Sequence, residues 1–420
     1  MARKSRHPEA FRARALLRSL RSLPSVRSLP ALPALIIGLV SPAPIALLAV
    51  MALAAPAAAQ FTGPTTPPSG GAQRQAITQQ IGLVKVTIDY SSPHVHSPAG
   101  VDRRGKIWGK GNLVPYGMAN LGFGTCGDEC PWRGGANENT VFTTTNDVKV
   151  QGQTLPAGSY GLHFIPGPDE WTIIFSKNHT AWGSFFYDAK EDALRVKAKP
   201  AKSEYYEDVT YEFRDRKLDH ATAVLRWEEL ELPWAITVDN ANDLYVDNMR
   251  RELQSAAGFS WEGWNIAAGF CLLNKTHVDQ GLEWAKKAAD PAGPGQENFT
   301  TLITLAELEQ ANGHAAESKK ARDKALRHPT ANPADLHQYG RQLIGQKRAA
   351  DAMEVFQLNA KLHPNAWPVH VGLARGHSAL GHYKEALAEA QLALPQAPNS
   401  PSRKQLEQLI ETLKGGKDIN

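Results

Sequence analysis

Residues 221–252 read ATAVLRWEELELPWAITVDNANDLYVDNMRRE, and a change of period falls inside them. Residues 221–227 and 234–238 are short apolar runs rich in aromatic and β-branched side chains, the composition of strands. After Asn240 the chain is dominated by Ala, Leu, Glu, Lys and Gln, and its apolar spacing becomes that of helices. The chain therefore holds two bodies of different secondary structure that meet near residue 240.

Toward the N-terminus, residues 79–240 keep the period of two. Val84, Val86 and Ile88 share one face of a strand, and similar runs recur at 140–145, 148–150, 160–165, 171–175, 194–198 and 210–213. Gly152, Pro156-Ala157-Gly158, Pro166-Gly167-Pro168-Asp169 and Asn178-His179 punctuate them as turns. Many short strands with no long amphipathic helix among them predict an antiparallel all-β sandwich or open barrel over residues 78–240.

Toward the C-terminus the chain repeats itself. Ala352 and Ala386 stand 34 residues apart, as do Pro364 and Pro398, with small residues where paired helices cross and proline where the second helix stops. This pattern resembles the tetratricopeptide repeat and implies an all-α solenoid over residues 261–400. Asn312-Gly313 and Pro329 mark an earlier unit, and Trp264, Ala268, Gly269, Gly281, Ala285 and Ala288 a first, divergent one. Residues 241–260 are expected to form a connector helix, and residues 401–420 a capping helix and tail.

Upstream of both bodies, residues 1–33 carry eight basic residues against the single acid Glu9. An apolar stretch follows, and Ala57-Ala58-Ala59 precede Gln60. This is the layout of a secretory signal peptide cleaved near Ala59, with an uncleaved membrane anchor as the alternative. Residues 60–77, rich in Pro, Gly, Thr and Ser, read as a flexible linker. Of the 46 basic and 42 acidic residues in the 420-residue chain, cleavage would remove eight and one, turning a net charge of +4 into −3. The basic balance belongs to the leader. With Arg103, Arg104, Lys106 and Lys110 as the one short basic cluster singled out, the chain lacks the sustained basic surface a nucleic acid requires.

Several phrases of the β half occur together: Tyr90-Ser91-Ser92-Pro93-His94, Arg104-Gly105-Lys106-Ile107-Trp108-Gly109, Leu113-Val114-Pro115-Tyr116-Gly117, Gly135-Ala136-Asn137-Glu138-Asn139-Thr140, Leu155-Pro156-Ala157-Gly158-Ser159-Tyr160 and Ala181-Trp182-Gly183-Ser184-Phe185. In this order they resemble the secreted bacterial domain-of-unknown-function family numbered 2911. The resemblance implies a β-rich extracytoplasmic domain and carries no reaction with it. Residues 118–131, between Gly117 and Trp132-Arg133, are longer than the family's usual connection and contain two cysteines.

Those cysteines, Cys126 and Cys130, are expected to form a local disulfide in an oxidising compartment, with a metal site or free thiols as alternatives. Cys271 reads as a packing residue. His94 and His96 fall on one side of an extended chain, so they are candidate ligands for a metal such as zinc, with the cysteines completing a Cys2His2 set and His163 as a further candidate. Against this, Pro93 and Pro98 suggest a surface loop of solvated histidines. Asn137 and Glu138, just before a strand, are candidates for a base or a ligand contact, or for satisfying turn amides. Trp108, Trp132, Trp171, Trp182, Tyr116 and Tyr160 could line a groove or fill the core. No nucleotide-binding, hydrolase or zinc-protease motif occurs.

The expected function is that of an exported, periplasmic or secreted, cell-envelope protein acting as a binding or assembly module. The β domain would recognise a ligand and the repeats a protein or peptide partner. The alternative is a metal-dependent enzyme with its site in the β domain.

Overall fold

The computed structural model describes residues 68–364 and 366–420. The leader read from residues 1–59 lies outside them, as does most of the linker.

Among the described residues ten strands run in chain order: β1 (Gln73–Ile81), β2 (Val84–Ser92), β3 (Val141–Thr144), β4 (Val148–Val150), β5 (Gln153–Leu155), β6 (Gly158–Ile165), β7 (Trp171–Ser176), β8 (Asp192–Ala198), β9 (Ala201–Arg214) and β10 (His220–Thr237). They form two antiparallel sheets, β1-β2-β3-β6-β7-β8 and β5-β4-β10-β9. The alternation in sequence is the alternation in burial: Val84, Val86, Ile88 and Tyr90 of β2 are buried, as are Trp171, Ile173 and Phe175 of β7 and Ala223, Leu225 and Trp227 of β10. All of them enter one core. Packed against it, the half-buried Trp108 ring meets Trp171, Trp132 and Trp227 edge-on, with centroids 5.1, 5.5 and 5.5 Å away. Each such aromatic buries a large apolar surface and contributes on the order of 2 kcal/mol. Of the aromatic residues considered for a groove, Trp171 and Tyr160 are therefore core, Trp108 and Trp132 pack half-buried against it, and Trp182 and Tyr116 are exposed.

Three elements differ from the sequence reading. First, β1 begins at Gln73, inside the stretch read as linker. It is an edge strand, exposed along most of its length, so no apolar alternation announces it; pairing with β2 across the Gly82-Leu83 turn, with Gly82 at φ 59°, holds it in place. Second, the short β5 was hidden between two turn signals. Third, the runs at 221–227 and 234–238 are two parts of the single 18-residue strand β10.

Ten α-helices follow among the described residues. The first, α1 (Ala241–Glu252), divides its apolar residues: Ala241 and Leu244 complete the β core, and Val246 and Met249 join a helical one. Four antiparallel pairs come next: α2 (Trp261–Asn274) with α3 (Val278–Ala289), α4 (Phe299–Ala311) with α5 (Ala315–Leu326), α6 (Pro333–Gly345) with α7 (Ala349–Leu362), and α8 (Pro368–Ala379) with α9 (Tyr383–Ala393). Asn298, Asn332 and Asn399 accept backbone N–H bonds as N-caps, and Pro333, Pro368 and Pro401 sit in first turns where the missing N–H costs nothing. Small residues bring successive helices close. Phe356 of α7 is seated against Gly340 of α6 and Gly372 and Gly376 of α8, and a Cβ on Gly372 would lie 2.6 Å from its ring. Cys271 is buried in the first pair, as expected of a packing residue. α10 (Ser400–Lys414) covers α9 with Leu406, Ile410 and Leu413, and the tail turns back so that Arg375 and Ser378 bind Ile419 and Asp418. No helix among the described residues is long and apolar enough to cross a membrane.

Candidate functional site

Strand β9 leaves its partner β10 between Tyr206 and Thr210. Across that gap the pairing register advances by four residues on β9 and two on β10, and Glu228 opposite takes φ 57°. A bulge of this kind re-aims side chains. The freed backbone bonds instead to the segment after β2: Val95 N donates to Glu207 O at 2.7 Å, Val209 N to Pro93 O at 3.0 Å, and Ser92 Oγ to Val209 O at 2.6 Å. Glu207 and Asp208 are thereby carried to the histidine pair. His94 Nδ1 faces Asp208 Oδ1, and His94, Glu207 and Asp208 each offer a ligand atom within 4.8 Å of the others. His94 Nε2 lies 3.2 Å from the Gly71 carbonyl, which can only accept, so Nε2 carries a proton; Nδ1 is the atom turned to the carboxylates, donating to Asp208 when the ring is charged and free to ligate when it is neutral. The Asp208 hydrogen bond raises the His94 pKa above its ordinary value.

His96 sits beside this group. Its Nδ1 is 2.9 Å from Glu207 Oε2 and its backbone N–H donates to Glu207 Oε1 at 2.8 Å, while Tyr205 donates to Oε2 at 2.5 Å. Partial burial pushes the Glu207 carboxyl up, but the bonds from Tyr205 and His96 outweigh it and hold the group at about 2. The Cys2His2 set does not form. Cys126 and Cys130 are joined in a disulfide, with Cα atoms 5.1 Å apart, and the two thiolates such a set needs do not exist.

The disulfide loop packs elsewhere. Thr125 N donates to Phe185 O at 2.8 Å, the Phe123 and Phe185 rings stack at 4.3 Å, and Ala119 and Cys130 exchange backbone bonds of 2.8 and 2.9 Å. Together with residues 113–115, Gly117 and residues 130–133 the loop walls a cleft of about 170 Å³, with Arg133 and Ser184 among its lining residues. His163 is behind it, buried, its Nδ1 2.9 Å from Ser184 Oγ. Burial, and then the neighbouring Arg133 charge, pushes this imidazole down to about 3, so it is neutral and held within the fold.

Asn137 and Glu138 lie on the loop between these two places. Asn137, at φ 58°, donates from Nδ2 to Ser69 O at 3.1 Å and accepts at its carbonyl from Arg133 Nη1 at 2.6 Å. Glu138 accepts from Ser91 Oγ at 3.0 Å and lies 3.7 Å from Arg74 Nη1. The five candidate residues thus divide: His94 and His96 face the β9 bulge, His163 is buried behind Ser184, and Asn137 and Glu138 tie the segment before β1, β1 and β2 to the loop. Glu207, Asp208, Arg133 and Ser184 were not singled out from the sequence. The adjacent acids in Tyr205-Tyr206-Glu207-Asp208-Val209 were the available signal, because their polarity interrupts the strand's alternation.

The helical half is similar to several solved structures. One is pilF of Pseudomonas aeruginosa, with 18% identity and a TM-score of 0.26, covering 40% of this chain and 80% of that one. A second is a thermophilic TPR protein of Thermus thermophilus, with 18% identity and a TM-score of 0.28, covering 41% and 92%. A third is a tetratricopeptide repeat protein of Parabacteroides merdae, with 14% identity and a TM-score of 0.26, covering 42% and 68%. No curated protein matches the chain. The sandwich is another matter: residues 72–236 match the family described as "Protein of unknown function (DUF2911)", so the resemblance read from the six phrases holds over nearly the whole β half.

Proposed function

We propose that the chain is an exported envelope protein that binds a protein partner through its helical half, with the β half as a second recognition surface for a small ligand. One observation carries the partner reading. Helix α2 buries Ala267, Ala268 and Cys271 on one face yet leaves Ile266 67% and Leu273 82% exposed on another, with Phe259 just before it 86% exposed. A helix apolar on both faces requires cover on both, and Ile266 and Leu273 stand two turns apart in one stripe, the spacing by which an apolar segment of a partner is held. The basic-then-apolar leader supports export, as does a cysteine pair joined in a disulfide.

The test compares the full chain with an Ile266→Glu, Leu273→Glu variant by cross-linking in envelope preparations. One defined protein captured by the first and lost by the second, at unchanged helicity, is expected. Equal capture by both refutes the assignment, as does a self-associating chain that becomes monomeric in the variant. N-terminal sequencing of the recovered protein should begin at Gln60.

A second reading is favoured by the convergence at the β9 bulge: a divalent cation on His94, Glu207 and Asp208, whose nitrogen and oxygen donors suit zinc. It predicts stoichiometric metal in untagged protein and its loss in His94→Ala. Metal-free protein of unchanged stability on chelation removes the reading.

A further inference from the structure

Arg133 is a charge without a counter-charge. It is half-buried, and among the described residues no carboxylate lies within ion-pair distance of its guanidinium; the one protein acceptor it reaches is the Asn137 carbonyl. A guanidinium has five N–H donors, so most of its capacity is unspent. Burial lowers its pKa, the sign of a cation held out of water without compensation. Such a group ordinarily swings out to solvent, since a long flexible stem permits it. Here it is held. The guanidinium lies 5.0 Å over the Phe185 ring, which is itself stacked on Phe123 of the disulfide loop. It also fills the space a side chain on Gly183 would take, and that residue is at φ 59°. Binding sites pre-arrange donors in this way, at a cost in stability that a ligand recovers.

The cleft beside it defines what that ligand is. Arg133 and Ser184 are its polar lining residues; the Ser184 hydroxyl is 2.9 Å from Nδ1 of the buried His163, a neutral ring that adds no charge and leaves the hydroxyl proton for a ligand when Nδ1–H is the donor. Leu113, Pro115, Leu121 and Trp132 supply apolar wall. One cation and apolar walls suit one negative charge, because a second would be desolvated without a partner. The planar fork of arginine matches the two oxygens of a carboxylate. The volume of about 170 Å³ is near that of an engineered cavity of about 150 Å³ that takes benzene, so the apolar body has roughly six non-hydrogen atoms.

We propose that this cleft binds a carboxylate carried on a small apolar body, the carboxylate on Arg133 and Ser184 and the body against Leu113, Leu121 and Trp132. This assigns a ligand class to the second recognition surface proposed above and rests on that reading. A free organic acid and the C-terminal residue of a peptide share this chemistry.

Calorimetric titration of the full chain tests it with benzoate, with benzamide as the neutral isostere, with acetate as the carboxylate lacking a body, and with N-acetyl-leucine as the peptide-end mimic. Benzoate or N-acetyl-leucine, whichever source applies, should bind at least about tenfold more tightly than benzamide and acetate. Arg133→Met should abolish the preference and Arg133→Lys weaken it. Failure of both acids to bind overturns the proposal, as does equal binding of benzoate and benzamide, and these arms use the unaltered chain and need no variant to fold. The Ile266→Glu, Leu273→Glu variant should bind the acid as the parent does, so loss of the helical partner and loss of the cleft ligand are read separately.

Discussion

The Tyr339 hydroxyl of α6 donates to Oε1 of Glu307 on α4 at 2.7 Å, and both residues are buried. Arg348 approaches the same carboxylate at 3.4 Å while pairing with Asp351 at 2.6 Å, so one acid joins two successive helix pairs. Burial first, and Glu307 second, push the phenol's pKa up. Glu307→Ala should cost about 3 kcal/mol by leaving the hydroxyl and part of the Arg348 charge unpaired. Tyr339→Phe, which leaves the acid with Arg348, should cost nearer ~1 kcal/mol. Urea denaturation midpoints give the order, and equal losses would show that the carboxylate is not the hub.

Glycines in the helices should respond to alanine with opposite signs. At Gly372 a Cβ would meet the Phe356 ring at 2.6 Å, so overpacking should destabilise by about 1–3 kcal/mol. At Gly269, within α2, nothing lies within 4 Å, so alanine should stabilise by about 0.5–1 kcal/mol through helix propensity alone. Thermal melts of the two variants should move to either side of the parent.

The buried His163 makes the β half sensitive to acid. Its folded pKa is depressed to about 3, so below its ordinary value of 6.5 the unfolded chain takes up a proton that the folded one refuses. Stability is then full above 6.5 and falls as pH drops toward 3. His94 has the opposite sign: its pKa is raised by Asp208, so its contribution is full below 6.5 and is lost as pH rises through the folded value. His163→Gln should flatten the slope of denaturation midpoints between about pH 6.5 and 5, and His94→Gln should remove a loss of stability that the parent shows as pH rises above about 6.5. No change in slope with His163→Gln would place the acid sensitivity elsewhere.

The disulfide should matter more to the cleft than to the fold. It closes a loop only four residues in separation, for which chain entropy allows about 2 kcal/mol. Reduction, or a Cys126→Ser, Cys130→Ser pair, should shift the denaturation midpoint by no more than this while weakening benzoate binding, because the loop it ties supports Phe185 and one cleft wall. Intact mass before and after reduction reports the bond itself.

How much of this was legible in the sequence follows from the range of the interactions. Val84, Val86 and Ile88 alternate because each strand must turn one face to the core, and Ala352 and Ala386 recur because each helix pair repeats one packing problem. Both are local or periodic constraints, and both could be read directly. The site was different. His94 is 114 residues from Asp208, and the two meet through a bulge whose cause is the register of β9 against β10. Arg133 could be read only as the far boundary of the cysteine-bearing segment, and not its want of a counter-ion, which depends on what Gly183 and Phe185 leave beside it. The Cys126–Cys130 bond was expected from spacing and compartment, whereas its position beside Ser184 and Phe185 was not. Edge strand β1 carried no alternation because it has little core to face.

Helix α1 has a practical corollary. Ala241 and Leu244 finish the sandwich core, and Val246 and Met249, within the next two turns, begin the helical one. A gene cut at residue 240, where the change of period invites it, would give a sandwich with an uncovered apolar patch and a helical array missing its first layer. Fragments meant to be studied alone should both keep residues 241–253. A protease that nicks this helix would disable two cores with a single cleavage.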